Sequence, residues 1–248
     1  MNQDKPTVRS VERALDILLC FRHHQELSLT AIAKQLALHK STVYRLLQAL
    51  EQKQFVQRDP LTEKYRLGTS IWDLASAAPQ EEWTDLLLPE MRKLRDTVGE
   101  TISLYIKSGL ERVRIQAVQS TQEIRRVVRI GERFPLFGGA SSKVLLAYAT
   151  PEEQEAVFRH PEWPPGWSRE RLKKELQEVR EQGYAYSIGE REPEAAAVAA
   201  PIFKGKEVVA ALAISGPVQR FTPEKIHWFG EQVKQAAEHL SRMLQFQS

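Results

Sequence analysis

Residues 29–56, LTAIAKQLALHKSTVYRLLQALEQKQFV, carry two short helical patterns with only a tight turn between them. In the first, Leu29, Ile32, Ala33 and Leu36 recur at three- and four-residue steps, and Ser28 stands where an N-cap is needed. In the second, Val43, Leu46, Leu47 and Leu50 fall at i, i+3, i+4 and i+7, which turns Ser41, Thr42, Tyr44, Arg45 and Gln48 outward. All five outward side chains are of types that can form hydrogen bonds. Counted from Leu29, the fifth position is the small Ala33, and positions four, eight, ten, fifteen and eighteen are Ile32, Leu36, Leu38, Val43 and Leu46. That is the packing requirement of a helix-turn-helix, in which two helices cross steeply over a short turn and need a residue without bulk at the contact. The ninth position, commonly Gly, is Ala37, where a left-handed conformation would cost about 1 kcal/mol, so a slightly altered turn is expected.

An ordinary pair of amphipathic helices would show the same periodicity, and the flanks separate the two readings. Phe55 to Arg58 and Tyr65 to Leu67 are short alternating runs joined by Asp59-Pro60-Leu61-Thr62-Glu63-Lys64, a hairpin placed as a wing after a recognition helix. The stretch KSTVYRLLQALEQKQFVQRDPLTEKYRLG, long and nearly free of gaps, resembles the winged helix-turn-helix of the IclR family of bacterial transcriptional regulators. The resemblance rests on the Ser-Thr pair that opens the recognition helix and the Tyr-Arg-Leu-Gly that closes the wing.

Charge is distributed accordingly. The 248 residues carry a formal net charge of +3, but residues 1–66 hold eleven Lys and Arg against seven Asp and Glu, leaving 24 against 25 in the rest. The excess sits with the recognition helix, where phosphate contacts would need it, although four charges alone are a weak signal. The length and 42% apolar content suit two domains, each with its own core. The single Cys20 excludes an internal disulfide and a cysteine metal cluster, and it fits a reducing compartment. No apolar run approaches the roughly 18 residues of a membrane span, and Met1 to Thr7 is polar, so a cytoplasmic protein is expected.

Val8 to Phe21 reads as a first helix whose apolar face, Val11, Leu15, Leu18 and Leu19 broadened by Ala14, Ile17 and Phe21, is wider than a small domain needs. A second subunit would use the surplus, as in the resembled family. Cys20, within that apolar helix and without a basic neighbour, reads as an inert packed thiol. The organisation expected is a winged helix-turn-helix over residues 1–67, a linker helix over 68–80 interrupted by Pro79, and a second domain over 81–248.

In that second domain a first helix runs from Glu81 and must kink or restart at Pro89. Strands are expected at Thr101 to Ile106, Val113 to Val118 and Ile124 to Ile130, with a later hairpin of Ala195 to Phe203 and Glu207 to Ser215. Helices are expected at Ser141 to Ala149, Pro151 to Arg159, Ser168 to Gln182 and Thr222 to Leu244. Five or six mostly antiparallel strands with helices at both ends and in the middle describe an α+β sandwich. RIGERFPLFGGASSKVLLAY, GYAYSIGERE and VAAPIFKGKEVVAALAISGP extend the resemblance to the GAF-like effector domain of the same family. Departures cluster at Ser142, where the family usually has Gly, and at Glu194-Ala195-Ala196-Ala197.

Carried over position by position, the family's effector pocket falls on Leu136, Phe137, Ala140, Ser141, Ser142, Ser187, Ala197, Ala213 and Ser215. Gly138-Gly139-Ala140 leads into a helix whose first N–H groups could hold a carboxylate, although a turn and cap is an equally good reading of those residues alone. With Ala197 and Ala213 offering no hydrogen bond, the expectation is a mostly apolar cavity. Its ligand would be a carboxylate on the N–H groups of Ala140 to Ser142, with an aromatic or aliphatic body against Phe137, Ala197 and Ala213.

Catalytic patterns fail on inspection. Lys143 lies between Ser142 and Val144, which is not a phosphate loop, and Ala140 stands where a Ser-x-x-Lys motif needs serine. His23-His24 reads as loop histidines, His227 and His239 are twelve apart, and Glu190 and Glu192 read as a solvated edge rather than an acid–base pair. No metal site, cofactor or catalytic set is expected. The resemblance implies a DNA-binding regulator, most often a repressor, with activators in the same family. Its expected partners are double-stranded DNA bearing an inverted repeat, a small organic acid and a second copy of the chain, with dimers of dimers also known. An enzyme with a DNA tether is the alternative from another class. Base contacts are expected from Lys40, Ser41, Thr42, Tyr44, Arg45 and Gln48, and phosphate contacts from Arg9, Arg13, Lys64 and Arg66.

Overall fold

A computed structural model describes residues 8–77 and 83–245 of the chain, which folds as two units, residues 1–80 and 81–248. The expectations for Met1 to Thr7, Pro79 and Glu81 lie outside the described residues.

In the first unit, α1 (Arg9–Cys20), α2 (Leu29–Gln35) and α3 (Lys40–Gln52) enclose a core of Ile17, Phe21, Ile32, Ala33, Val43 and Leu47. Ser28 caps α2 by accepting a hydrogen bond from Ala31 N at 3.2 Å. The turn corrects the expectation of an altered geometry. Ala37 adopts φ +52°, with Leu38 N bonded to Ala33 O at 3.0 Å and Ala37 N to Lys34 O at 3.3 Å. This is a Schellman closure at an ordinary left-handed residue, so alanine bears the strain that glycine would avoid.

The wing follows as β1 (Val56–Arg58) paired antiparallel with β2 (Tyr65–Leu67), and Leu27 bridges to Tyr65 as a third, one-residue strand. Asp59 shapes the tip: its Oδ1 accepts from Leu61 N and Thr62 N, and those bonds hold its carboxyl below the usual carboxylate range. Gly68 ends the wing where only a hydrogen fits, because a Cβ there would lie 2.1 Å from the Gln54 carbonyl oxygen. From this point α4 (Ser70–Ala77) starts, and Ser70 binds the end of the recognition helix through Oγ to Lys53 O at 2.7 Å and N to Gln54 O at 3.1 Å.

The second unit is a six-stranded antiparallel sheet of order β5-β4-β3-β8-β7-β6. Its strands are β3 (Thr101–Ser108), β4 (Glu111–Val118), β5 (Arg133–Pro135), β6 (Ala185–Ile188), β7 (Ala195–Lys204) and β8 (Glu207–Pro217). On one face α5 (Trp83–Val98), which runs on through Pro89, and α9 (Pro223–Gln245) pack against Ile102, Leu104, Val198, Ile202, Leu212 and Ile214. The other face carries α6 (Ala140–Ala147), α7 (Pro151–Phe158) and α8 (Arg169–Gln182). All eight residues of α6 are buried, and the strand residues beneath this layer include Ala185, Ala199, Ala211 and Ala213, whose small side chains let a helix lie close to the sheet.

The expected strand Ile124 to Ile130 is absent: no strand is formed there, and β5 takes the place beside β4. Side chains occupy the carbonyls that a ladder would have used. Arg220 Nη1 donates to Ile124 O, Thr101 Oγ1 to Arg126 O, and Arg114 Nη1 to Arg129 O.

Candidate nucleic-acid interface and ligand cavity

The first unit presents α3 outward. Val43 and Leu47 are fully buried, and on the opposite side Lys40, Ser41, Tyr44, Arg45 and Gln48 are exposed, with Thr42 at the boundary. Gln48 Nε2 donates to the Tyr44 hydroxyl at 3.0 Å, which steadies two of them one turn apart. Among the described residues no hydrogen bond or ion pair engages Lys40 or Arg45, so both cations are available. In the wing, Arg66 donates to Gln57 at 3.3 Å and Lys64 stands 3.7 Å from Glu26, both at the surface. Arg9 is exposed and Arg13 half-buried on α1. A 13-residue helix is about 20 Å long and fits lengthwise into a major groove about 12 Å wide.

Along α1, Val8, Val11, Leu15 and Leu19 form a stripe of exposed apolar side chains, each about half or more exposed. Cys20 faces the core, and burial, with Asp16 adding to it, pushes its thiol up from the ordinary value, away from nucleophilic reactivity.

In the second unit a cavity of about 50 Å³ lies between the sheet and the start of α6. Of the sequence-predicted residues, Ala140, Ser141, Ser187, Ala197, Ala213 and Ser215 line it together. Leu136, Phe137 and Ser142 do not. Leu136 is core, and the Phe137 ring meets His160, Trp163 and Trp167 edge-on at 5.4–6.2 Å. Ser142 is wholly buried and turned to Pro135 O, to which it donates at 3.0 Å, while its hydroxyl accepts from Arg112 Nη1.

The expected apolar character is corrected as well, because Arg112, Arg126, Arg191, Glu190, Glu192 and Tyr105 also line the cavity. These come from β3, β4 and two loops, and sequence reasoning missed all of them as pocket residues. The solvated edge expected of Glu190 and Glu192 fits Glu192, which is exposed, but not Glu190, which is half-buried. Arg126 grips Glu192 with two bonds of 2.8 and 2.7 Å, which hold that carboxyl below its usual range. Glu190 pairs with Lys143 and accepts from Gly139 N at 2.9 Å, while Ser187 Oγ accepts from Ala140 N at 3.1 Å. Of the N–H groups assigned to a ligand carboxylate, that of Ala140 is therefore taken by Ser187, and Glu190 takes that of Gly139 just before them.

Arg112 is the unusual group. It is 4% exposed, packed over the Tyr105 and Phe134 rings at 5.2 and 5.1 Å, and held by Gly138 O at 2.6 Å and by Ser142. Gly139, at φ +93°, makes room for it, since a Cβ there would lie 3.0 Å from Nη2. Burial pushes the guanidinium down to about 9, so it is still charged at neutral pH, yet no carboxylate pairs with it among the described residues. Two residues of the cavity lining carry a buried polar atom without a hydrogen-bond partner, Arg112 its Nε and Ser215 its hydroxyl. A buried cation without an acid partner offers its charge to an anion.

Residues 10–60 match the family described as "IclR helix-turn-helix domain", and residues 80–242 match "Bacterial transcriptional regulator IclR C-terminal". The HTH-type transcriptional regulator XynR of Escherichia coli is 33% identical, with 96% of this chain and 98% of the relative covered. The transcriptional repressor IclR of Escherichia coli is 28% identical over 94% of this chain and 89% of its own length. Among solved structures, an IclR homolog from Microbacterium hydrocarbonoxydans complexed with 4-hydroxybenzoate superimposes with a TM-score of 0.84 at 25% identity, covering 96% of this chain and 99% of that one. These relatives are regulators rather than enzymes, and no described helix is long and apolar enough to cross a membrane. With both of its units matched, the chain belongs to the IclR family of bacterial transcriptional regulators, DNA-binding proteins built from a winged helix-turn-helix and an α+β domain with an antiparallel sheet.

Proposed function

We propose that the protein is a cytoplasmic repressor, a dimer on an inverted-repeat operator, released when a small organic carboxylate enters the cavity of the second unit. The observation that carries the ligand reading is Arg112: buried, charged, lining the cavity and without an acid partner. A bound carboxylate would supply that partner and raise the depressed guanidinium value again. The relative bound to 4-hydroxybenzoate supports an organic acid, and the relative named as a repressor supports the sign. The exposed stripe of Val8, Val11, Leu15 and Leu19 supports pairing through α1, and two copies of α3 would then read two half-sites. The bonds from Ser70 to Lys53 and Gln54 give α4 a direct hold on the end of α3, so that a shift of α4 moves the reading helix.

On this reading Arg45 meets a base edge, and Arg45→Ala loses about 1–3 kcal/mol on a selected operator and much less on random DNA. Lys64→Ala, Arg66→Ala, Arg9→Ala and Arg13→Ala lower affinity on both DNAs and each reduce the salt slope by about one. Fluorescence anisotropy at several salt concentrations makes the comparison. Equal losses on both DNAs for Arg45→Ala would move that residue to phosphate, and four unchanged slopes would remove the phosphate set. Sedimentation at micromolar concentration yields a dimer, and replacing Leu15 and Leu19 by Lys on the exposed stripe yields monomers. A wild-type monomer, free and on DNA, refutes the pairing.

A further inference from the structure

Glu190 stands between two hollows. Inward lies the cavity with Arg112 and Ser215, whose 50 Å³ holds roughly three or four waters. Outward lies a groove of about 460 Å³ between α8 and the end of β6, lined by Trp167, Arg171, Leu172 and Ile188. Glu190 lines both. The inner space alone is too small for an organic acid with more than a few atoms beyond its carboxylate. The outer one is within the usual range of ligand pockets, about 300–1,000 Å³, and it offers apolar surface from an indole and two aliphatic side chains.

The bonds that keep Glu190 in place are the kind that an incoming acid can take over. Its carboxylate accepts from Gly139 N at 2.9 Å and pairs with Lys143. A ligand carboxylate arriving at the start of α6 replaces one carboxylate by another, with charge and hydrogen-bond number conserved at the N–H. Lys143 does not become an orphan either, because Glu175 holds it from the other side at 2.9 Å. An uncompensated buried lysine would otherwise oppose the exchange.

Resting on the reading of Arg112 as the acid's anchor, we propose that Glu190 is an internal gate. The effector is a monocarboxylic acid with an aryl or branched aliphatic body, which swings Glu190 aside and joins the two hollows. Its carboxylate reaches Arg112, and its body stays in the outer groove against Trp167, Leu172 and Ile188. The aromatic or aliphatic body expected from sequence thus finds room outside the inner cavity rather than against Phe137, Ala197 and Ala213.

Calorimetry on the full-length chain tests this with pyruvate as a short acid and with isovalerate, phenylacetate and 4-hydroxybenzoate as long ones. The long acids bind the wild type. Glu190→Ala, which removes the competitor, tightens them about tenfold or more. Ile188→Trp, at a half-exposed edge position that tolerates a larger side chain, fills the groove and weakens them about tenfold, with pyruvate changed less than about threefold. Arg112→Met abolishes binding of every acid. If no acid in the panel binds the wild type, or binding survives in Arg112→Met, the acid-effector reading falls and the gate with it. If binding depends on Arg112 but is the same in Glu190→Ala and Ile188→Trp as in the wild type, the gate alone is overturned.

Discussion

Arg220→Ala is expected to destabilise the second unit by about 3–5 kcal/mol, a fall in its melting temperature on the order of 10 °C. Glu100 is 2% exposed and its carboxylate has Arg220 as its counter-ion, with Nε on one oxygen and Nη2 on the other at 2.7 Å. The same guanidinium donates to Ile124 O and so fixes the irregular segment after β4. Alanine would leave a carboxylate buried beside Gly216 with no charge partner, which is the costly half of breaking a buried pair. Replacing both members, Arg220→Met with Glu100→Leu, should recover most of the loss because no uncompensated charge remains. Urea unfolding of the three proteins provides the comparison. A loss below 1 kcal/mol for the single variant would mean that Glu100 is solvated when its partner is gone.

Arg112→Met should produce opposite effects on stability and on binding. In the unliganded protein the buried guanidinium has two acceptors, an idle Nε and no counter-ion, so a long apolar side chain among Tyr105 and Phe134 leaves stability equal or raises it by about 1–4 kcal/mol. Acid binding drops below detection, a loss of about 100-fold or more, in line with the 2–5 kcal/mol lost when one side of a buried, hydrogen-bonded charge pair is removed. Arg112→Lys keeps the charge but not the planar fork, and its affinity should lie between the two. Unfolding and calorimetry on the same preparations separate the effects. A variant that loses stability and keeps its affinity would make Arg112 a structural strut.

The first unit was legible in the sequence because each of its decisive signals is local. The apolar steps of Val43, Leu46 and Leu47, the small Ala33 and the turn residues Asp59 to Lys64 lie within a few residues of what they determine. The misjudged turn at Ala37 follows from treating alanine's left-handed cost as prohibitive, whereas Schellman hydrogen bonds offset about 1 kcal/mol of strain. Ile124 to Ile130 has strand-like composition, but its carbonyls are claimed by Arg220, Thr101 and Arg114, which no local pattern announces.

The cavity was half legible. Its residues Ala140, Ser141, Ser187, Ala213 and Ser215, and the charged Glu190, Arg191 and Glu192, lie in motifs shared with the family, whereas Arg112 and Arg126 come from β4 and the segment after it. Arg112 and Arg114 alternate with Val113 on β4 and both are buried, Arg112 against α6 and its leading loop and Arg114 against Tyr105 and Glu132. The bond from Gly139 N, just before α6, to Glu190, 51 residues away, has no local signature.

The claim that joins the two units is that an acid held by Arg112 controls DNA binding, and a single titration tests it. Full-length wild type and Arg112→Met are each loaded on an operator obtained by in vitro selection, and 4-hydroxybenzoate is added while anisotropy reports the bound fraction. The account predicts release of the wild type at acid concentrations that leave the Arg112→Met complex intact. Release of both at the same concentration, or of neither, would contradict it.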